Sequence, residues 1–286
     1  SFGSVRHRLC DLWWTGRLRG ECCCRVLLLS MSENGERFCL EAFRHEALQD
    51  VGSTNTECLE RARAGDPGNL WITATRQTSG RGRRGRVWTS EPGNLYASLL
   101  LINPAPMDRI ASLPLAVAVG LQAAVSAVMP RDAEPVEVKW PNDILIGRKK
   151  TCGILIEGEG LPDGRHALVI GIGINIRHKP DTAPYAVTRL EEHGCFITAD
   201  ELFAHLFREM AVVIKIWDEG RGISDITRRW LNVACGVGEK ITVNLPDRSL
   251  TGRFDGIAAD GLLMLNLGGG QIVPIAAGDV FFERTE

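Results

Sequence analysis

Residues 80–86 read GRGRRGR, four arginines and three glycines in seven positions, and the stretch runs on through Val87 to Trp88. Glycine lets a backbone bend close to a ligand and frees its N–H donors, and arginine adds charge-assisted, bidentate bonds to anions. That mixture points to a loop that folds over a phosphate-bearing ligand. The plainer reading is a solvated basic loop, but this segment is compact and sits between apolar, strand-like runs. It also matches G-x-G-x-x-G, the dinucleotide fingerprint, which must open a helix. The continuation RVWTSEPGN holds a β-branched residue, Pro and Gly and starts a helix poorly. With Val87 the match extends to the kinase glycine loop, yet no V-A-I-K, H-R-D or D-F-G follows.

Two further islands carry chemistry. In VKWPNDILIGRKKTCGILIE (138–157), Pro141 sets a turn after a strand, Asn142 and Asp143 place polar groups at its end, and Lys150 lies just before Gly153. Plain turn chemistry and a solvated lysine explain it equally well at this level. In GIGIN (171–175), glycines inside an apolar strand mark either the close approach of another group or a bulge, with Asn175 as a polar handle.

The chain that must position these groups has 286 residues, enough for one large domain and a small satellite. Thirty-three basic against thirty-five acidic residues leave no global field for nucleic acid. The nine cysteines lack C-x-x-C spacing and the six histidines lack an H-x-x-x-H pair, so neither zinc nor a disulfide scaffold is indicated, and a reducing cytoplasm is the simplest setting. Ile110–Met129 carries no charge, but it is Ala- and Val-rich and broken by Ser112, Pro114, Gly120, Gln122 and Ser126. It reads as a closely packed helix, and no membrane partner is expected. Residues 1–37 read as a poorly structured leader: the first thirty hold five arginines, paired tryptophans and CCC, and non-native sequence upstream of a start at Met31 explains them better than a transit peptide.

From Phe38 a strand-like segment to Val51 precedes a helix over STNTECLERARAG, where Thr54 and Glu57 have capping-box spacing. Strands follow at 71–77 and 94–102, then the Ala-rich helix, strands at 136–140, 144–146, 151–159 and 166–176, and helices over 199–220 and 223–234. From about Gly236, four or five short strands separated by Asp/Gly turns suit a small barrel. The class is α+β, with a mixed sheet and an appended barrel.

Taken together and in this order, STN (53–55), Gln77 with GRGRRGR and Trp88, KWPND (139–143), RKK-x-x-G-I-L-I-E (148–157) and GIGIN (171–175) resemble the biotin–protein ligase family over about residues 40–286. The resemblance implies a class II synthetase-like catalytic domain with a mixed sheet over 38–235 and an SH3-like β-barrel over 236–286. It implies ATP-dependent activation of biotin as biotinyl-5′-AMP, followed by transfer to a lysine of a biotin carboxyl carrier protein, such as that of acetyl-CoA carboxylase. By the same resemblance Ser53, Thr54, Asn55, Gln77, Arg81, Gly82, Arg83, Lys150, Gly153 and Gly171 contact biotin. Arg83, Arg84, Arg86, Trp88, Asn142, Asp143 and Asn175 serve ATP or the adenylate, and Lys150, Arg83 and Asp143 are catalytic. Spacing back from Gly153 selects Lys150 over its neighbour Lys149. Mg²⁺ is expected to arrive with ATP, near Asn175, without a direct protein ligand set. The loop is expected to be mobile when empty. Many family members carry an N-terminal DNA-binding domain; the short leader implies none here and no DNA partner. A homodimer is left open, as are a lipoate–protein ligase-like acyl transfer and a non-catalytic biotinyl-adenylate sensor.

Overall fold

The structure is a computed structural model and describes residues 37–258 and 260–282. The leader expectation for 1–36 lies outside the described residues.

Seven strands form the first sheet: β1 (Arg44–Val51), β2 (Leu70–Gln77), β3 (Leu95–Ile102), β4 (Val136–Lys139), β5 (Asp143–Ile146), β6 (Lys149–Gly160) and β7 (His166–Ile174). Their spatial order is β1-β2-β3-β7-β6-β5-β4, with β1 and β2 parallel and every other pair antiparallel. The parallel pair needs a crossover, supplied by helix α1 (Thr54–Arg63).

All eight β3 side chains are buried, as a strand at the centre of a doubly covered sheet requires. Successive residues go to opposite layers. Leu100 and Ile102 join Cys58 and Ala62 of α1 on one face, while Leu99 and Leu101 join the main core on the other. That core lies under α2 (Leu113–Ser126), α3 (Ala199–Trp217) and α4 (Ile223–Asn232). Gly120 lets α3 come close, since a Cβ there would meet Val213 Cγ1 at 2.7 Å. The uncharged stretch 110–129 is therefore a core helix. Among the described residues no helix is long and apolar enough to cross a membrane.

The second sheet comprises β8 (Lys240–Asn244), β9 (Ser249–Ile257), β10 (Leu263–Gly268), β11 (Gln271–Ile275) and β12 (Asp279–Phe282), all antiparallel in the order β11-β10-β9-β8-β12. It is the SH3-like unit. Trp230 of α4 packs edge-on against Phe254 of β9 with ring centroids 6.4 Å apart, and Cys235 N donates to Val138 O at 2.8 Å. Lys139 at the end of β4 holds its Nζ 5.7 and 5.5 Å from the Phe281 and Phe282 rings, which brings β12 beside that strand end.

Two local expectations change. The segment 38–51 is not one strand: a 3₁₀ turn at Leu40–Ala42 precedes β1. Phe38 and Phe43 both enter the core, and strict alternation cannot bury residues five apart on one face. The capping box at Thr54 is also absent. Ser53 is the N-cap, it makes no side-chain cap bond, and the Thr54 hydroxyl points elsewhere.

Candidate active site

A cleft opens between loop 80–88, the start of α1 and strands β5–β7. At one end stand Ser53, Thr54, Asn55 and Gln77. The Thr54 N–H and Oγ1 donate to Gln77 Oε1 at 2.9 and 3.1 Å, so this hydroxyl serves the cleft wall rather than the helix end. Asn55 Nδ2 donates to Glu157 Oε2 at 2.6 Å and to Leu155 O at 3.4 Å. Gly171 lines the same end, and a Cβ there would overlap the Asn55 amide.

The loop is a small hairpin. Gly82 N donates to Arg86 O at 2.7 Å, and Trp88 N to Gly80 O at 2.9 Å. Gly85 turns the chain at φ 71, and Arg84 adopts φ 55, in the left-handed region that L residues other than Asn and Asp rarely occupy. Arg81 reaches Glu157 at 3.3 Å, while Arg84 and Arg86 both pair with Asp279 of β12, at 2.9 and 2.8 Å. Arg83 instead turns inward and donates to Asn142 Oδ1 at 2.8 Å. Burial lowers the Arg83 pKa from its ordinary value; Asp279 and Asp143 work against that shift. A guanidinium this far desolvated, with a neutral amide as its partner, is poised to meet an anion.

Lys150 lies opposite. Its Nζ is 2.6 Å from Asp143 Oδ1, and both side chains are mostly buried. A register shift between Ile144 and Leu145 pairs Leu145 with Lys150 and thereby turns Lys150 toward the cleft, leaving Lys149 exposed. Asn142 is locked by Nδ2 donating to Ile154 O at 2.6 Å.

Gly153 and Gly173 are cross-strand partners on β6 and β7, and the register there is continuous, so the glycines do not mark a bulge. They form a flat on which Trp88 lies: a Cβ would meet its ring at 2.9 Å from Gly153 and 2.5 Å from Gly173. Lys150 Nζ sits 5.5 Å from the Trp88 ring and 5.2 Å from that of Tyr185. Beyond Trp88 a second, open cavity is lined by Lys150, Asn175, Pro180, Pro184 and Tyr185.

Most of the residues singled out from sequence thus converge on the cleft, Arg81, Gly82, Arg86, Asn142 and Asp143 included. Two do not line it. Arg84 is turned outward to Asp279, and Asn175 is buried at the second cavity with Nδ2 donating to Thr188 O at 3.1 Å. Sequence reasoning missed Asp279, Tyr185 and Ser98 as members of the site and passed over Glu157 although it ends a quoted motif. Ser98 had one faint signal: a lone serine in the largely apolar run LYASLLLI. Among the described residues no three His, Cys, Asp or Glu side chains gather as a metal site.

The biotin/lipoate A/B protein ligase family model matches residues 49–175, and the biotin protein ligase C-terminal domain model matches 236–283. The biotin–[acetyl-CoA-carboxylase] ligase of Paracoccus denitrificans is 33% identical over 254 residues, 82% of this chain and 99% of that protein. The bifunctional ligase/repressor BirA of Bacillus subtilis is 31% identical over 245 residues, 82% of this chain and 74% of BirA. Among solved structures, biotin protein ligase from Aquifex aeolicus in complex with biotin and ATP aligns with TM-score 0.70 at 28% identity, covering 85% of this chain and 99% of that one. The Leishmania major biotin protein ligase with biotinyl-5-AMP aligns at 0.59 and 26%, covering 82% and 99%.

Proposed function

The chain belongs to the biotin protein ligase family, and on that premise we propose how its own residues divide the work of the reaction. The enzyme activates biotin with ATP and transfers it to a carboxyl carrier protein. The difficulty is that a carboxylate must attack the α-phosphate of a polyanion, and the resulting anhydride must be kept from water. One observation carries the assignment: the Lys150 amine and the Arg83 guanidinium converge on a single cleft, the amine held by Asp143 and the guanidinium by a neutral amide.

In this reading the biotin head lies among Ser53, Thr54, Asn55, Gln77 and Gly171, with Arg81 and Gly82 closing over it and Gly153 seating Trp88 beside its chain. Lys150 receives the carboxylate and brings it to the phosphorus. Arg83 meets charge developing on the phosphoryl oxygens, and Asn142 keeps that guanidinium aimed. As Lys150 turns to the substrate, Asp143 loses its partner and becomes the base beside the incoming carrier lysine. The adenine enters the second cavity against Trp88 and Tyr185, with Asn175 offering Oδ1. Arg84 and Arg86 act from the loop's outer side, through Asp279.

Mg²⁺ fits only as a companion of the triphosphate, because the cleft offers two carboxylates, Asp143 and Asp279, and each already faces a cation. When bound it offsets phosphate charge. The units 38–235 and 236–286 are proposed as catalytic and C-terminal domains. The test is pyrophosphate release with Mg²⁺, ATP and either biotin or lipoate, followed by label transfer to a carrier domain. Biotin-dependent release with transfer is expected; lipoate-dependent release alone, or adenylate without transfer, would overturn the reading.

A further inference from the structure

We propose that Lys139 serves the transfer step: its positive charge, fixed beside Asp143, keeps the incoming carrier lysine in the neutral form that can attack the adenylate. The proposal rests on the reading above, in which that lysine arrives at Asp143.

Lys139 ends β4 directly opposite Asp143, the first residue of β5, so the two side chains leave the same face of the sheet. Asp143 nevertheless pairs with Lys150, at 2.6 Å, and not with this cross-strand neighbour. The Lys139 ammonium instead lies against two rings of β12, 5.7 Å from the centre of Phe281 and 5.5 Å from that of Phe282. Ring faces attract a cation without neutralising it. Among the described residues this ammonium makes no hydrogen bond and no ion pair. Burial lowers its pKa from the ordinary value and Lys150 pushes the same way, while Asp143, Cys235 and Asp279 push against them. These are the charged and titratable groups that face it, from β5, β6, β12 and the segment after α4.

The acceptor explains what such a charge could do. An amine attacks only when neutral, and an ordinary lysine is protonated at neutral pH. Asp143 alone makes matters worse, because a carboxylate beside an amine favours its ammonium form. The other cations are committed. In the reading above Lys150 turns to the substrate and Arg83 to the phosphoryl oxygens, and Arg84 and Arg86 pair with Asp279. Lys139 remains, held on a strand and without an anion of its own. Its repulsion disfavours a second ammonium, so the carrier lysine releases one proton to solvent. The neutral nitrogen then bonds the biotinyl carbonyl carbon, the carbon–oxygen bond to the phosphate breaks, AMP leaves, and the surplus amine proton passes to Asp143.

The sign of the pH effect follows. Transfer speeds up as pH rises through the pKa of the bound acceptor amine, and Lys139 lowers that pKa. The experiment measures single-turnover transfer from preformed adenylate to a saturating carrier domain between roughly pH 7 and 10, in wild type, Lys139→Met and Lys139→Arg. Methionine keeps the contact with both rings and removes the charge. In Lys139→Met the profile should move about one unit toward alkali, with transfer roughly tenfold slower at neutral pH and equal to wild type on the alkaline plateau. Lys139→Arg keeps the charge and should follow the wild-type profile. Hydroxylamine, an acceptor that is neutral across this range, should discharge the adenylate equally in all three proteins. A Lys139→Met loss that is the same at every pH, or that extends to hydroxylamine, overturns the proposal, as does an unshifted profile. Wild type supplies an arm that needs no variant to fold: its transfer should level off about one unit or more below the ordinary lysine pKa, and a rate still climbing there overturns the proposal. If wild type forms no adenylate, or labels no carrier at any pH, the functional reading fails rather than this inference.

Discussion

Gly171 shows how narrow the tolerance is at single positions. Its missing Cβ is the space that the Asn55 amide occupies, and Asn55 cannot step aside because Ser98, Glu157 and Leu155 hold it. Gly171→Ala should therefore raise KM for biotin roughly tenfold or more by displacing a buried, hydrogen-bonded amide, with the fold intact by circular dichroism. An unchanged KM would remove Asn55 from the binding wall. Lys150 has the opposite character, since it is a charge the cleft already pairs. Lys150→Ala leaves Asp143 mostly buried and unpaired, and it should lose biotin-dependent pyrophosphate release by roughly a hundredfold or more. Measuring that release directly, without a carrier, separates this loss from any defect in transfer.

At the level of elements, the loop's arginines are sorted by the strands around them. Arg84, Arg86 and Asp279 keep 41%, 47% and 23% of their side-chain surfaces exposed. Pairs this open contribute about 0–1 kcal/mol each, enough to dock a hairpin and too little to lock it. Asp279→Asn removes both pairs and should speed adenylate release up to about thirtyfold, the equivalent of about 2 kcal/mol, and expose the loop arginines to trypsin. Adenylate retention and cleavage that both match wild type would show that β12 does not hold the loop. Arg83→Gly should act differently: it removes the inward guanidinium, so the adenylate escapes and labels unrelated lysines, detectable on a bystander protein. The strand pattern and the helices were legible because β-branched runs and turn residues mark them locally. Thr54 was misread as a cap because Ser-Thr-Asn before an apolar helix is the same signal whether the hydroxyl faces the backbone or a neighbouring strand. The bulge that selects Lys150 was invisible except through its spacing from Gly153.

For the whole molecule, the site depends on two sheets meeting in register. Trp230 is wholly buried and touches Phe254 of the second sheet, so it belongs to both cores. Trp230→Ala should cost about 3–5 kcal/mol, read as a lowered denaturant midpoint, and should also weaken adenylate retention because β12 moves with the second sheet. Full retention in a folded variant would uncouple the sheets. This long-range dependence is what sequence reading could not reach. Asp279 stands far from the loop along the chain, in a turn-rich tail where one more aspartate carries no mark, and only the packing of β12 beside the end of β4 makes it a partner of Arg84 and Arg86. The motifs named nearly all of the cleft's interior; the residues that hold the interior in place, Ser98, Glu157 and Asp279, act through tertiary contacts.

Trp88 rests on its two paired glycines, between the cleft and the second cavity. Among the described tryptophans, 71, 140, 217 and 230 are buried in cores, while Trp88 is only partly covered and its indole N–H has no partner. Its ring also lies near an ammonium group. Whatever enters either cavity must change the polarity around this one indole and leave the others as they were. The enzyme thus carries its own optical gauge: a shift in tryptophan emission on adding biotin, and a second on adding nucleotide, would report the order in which its two chambers fill.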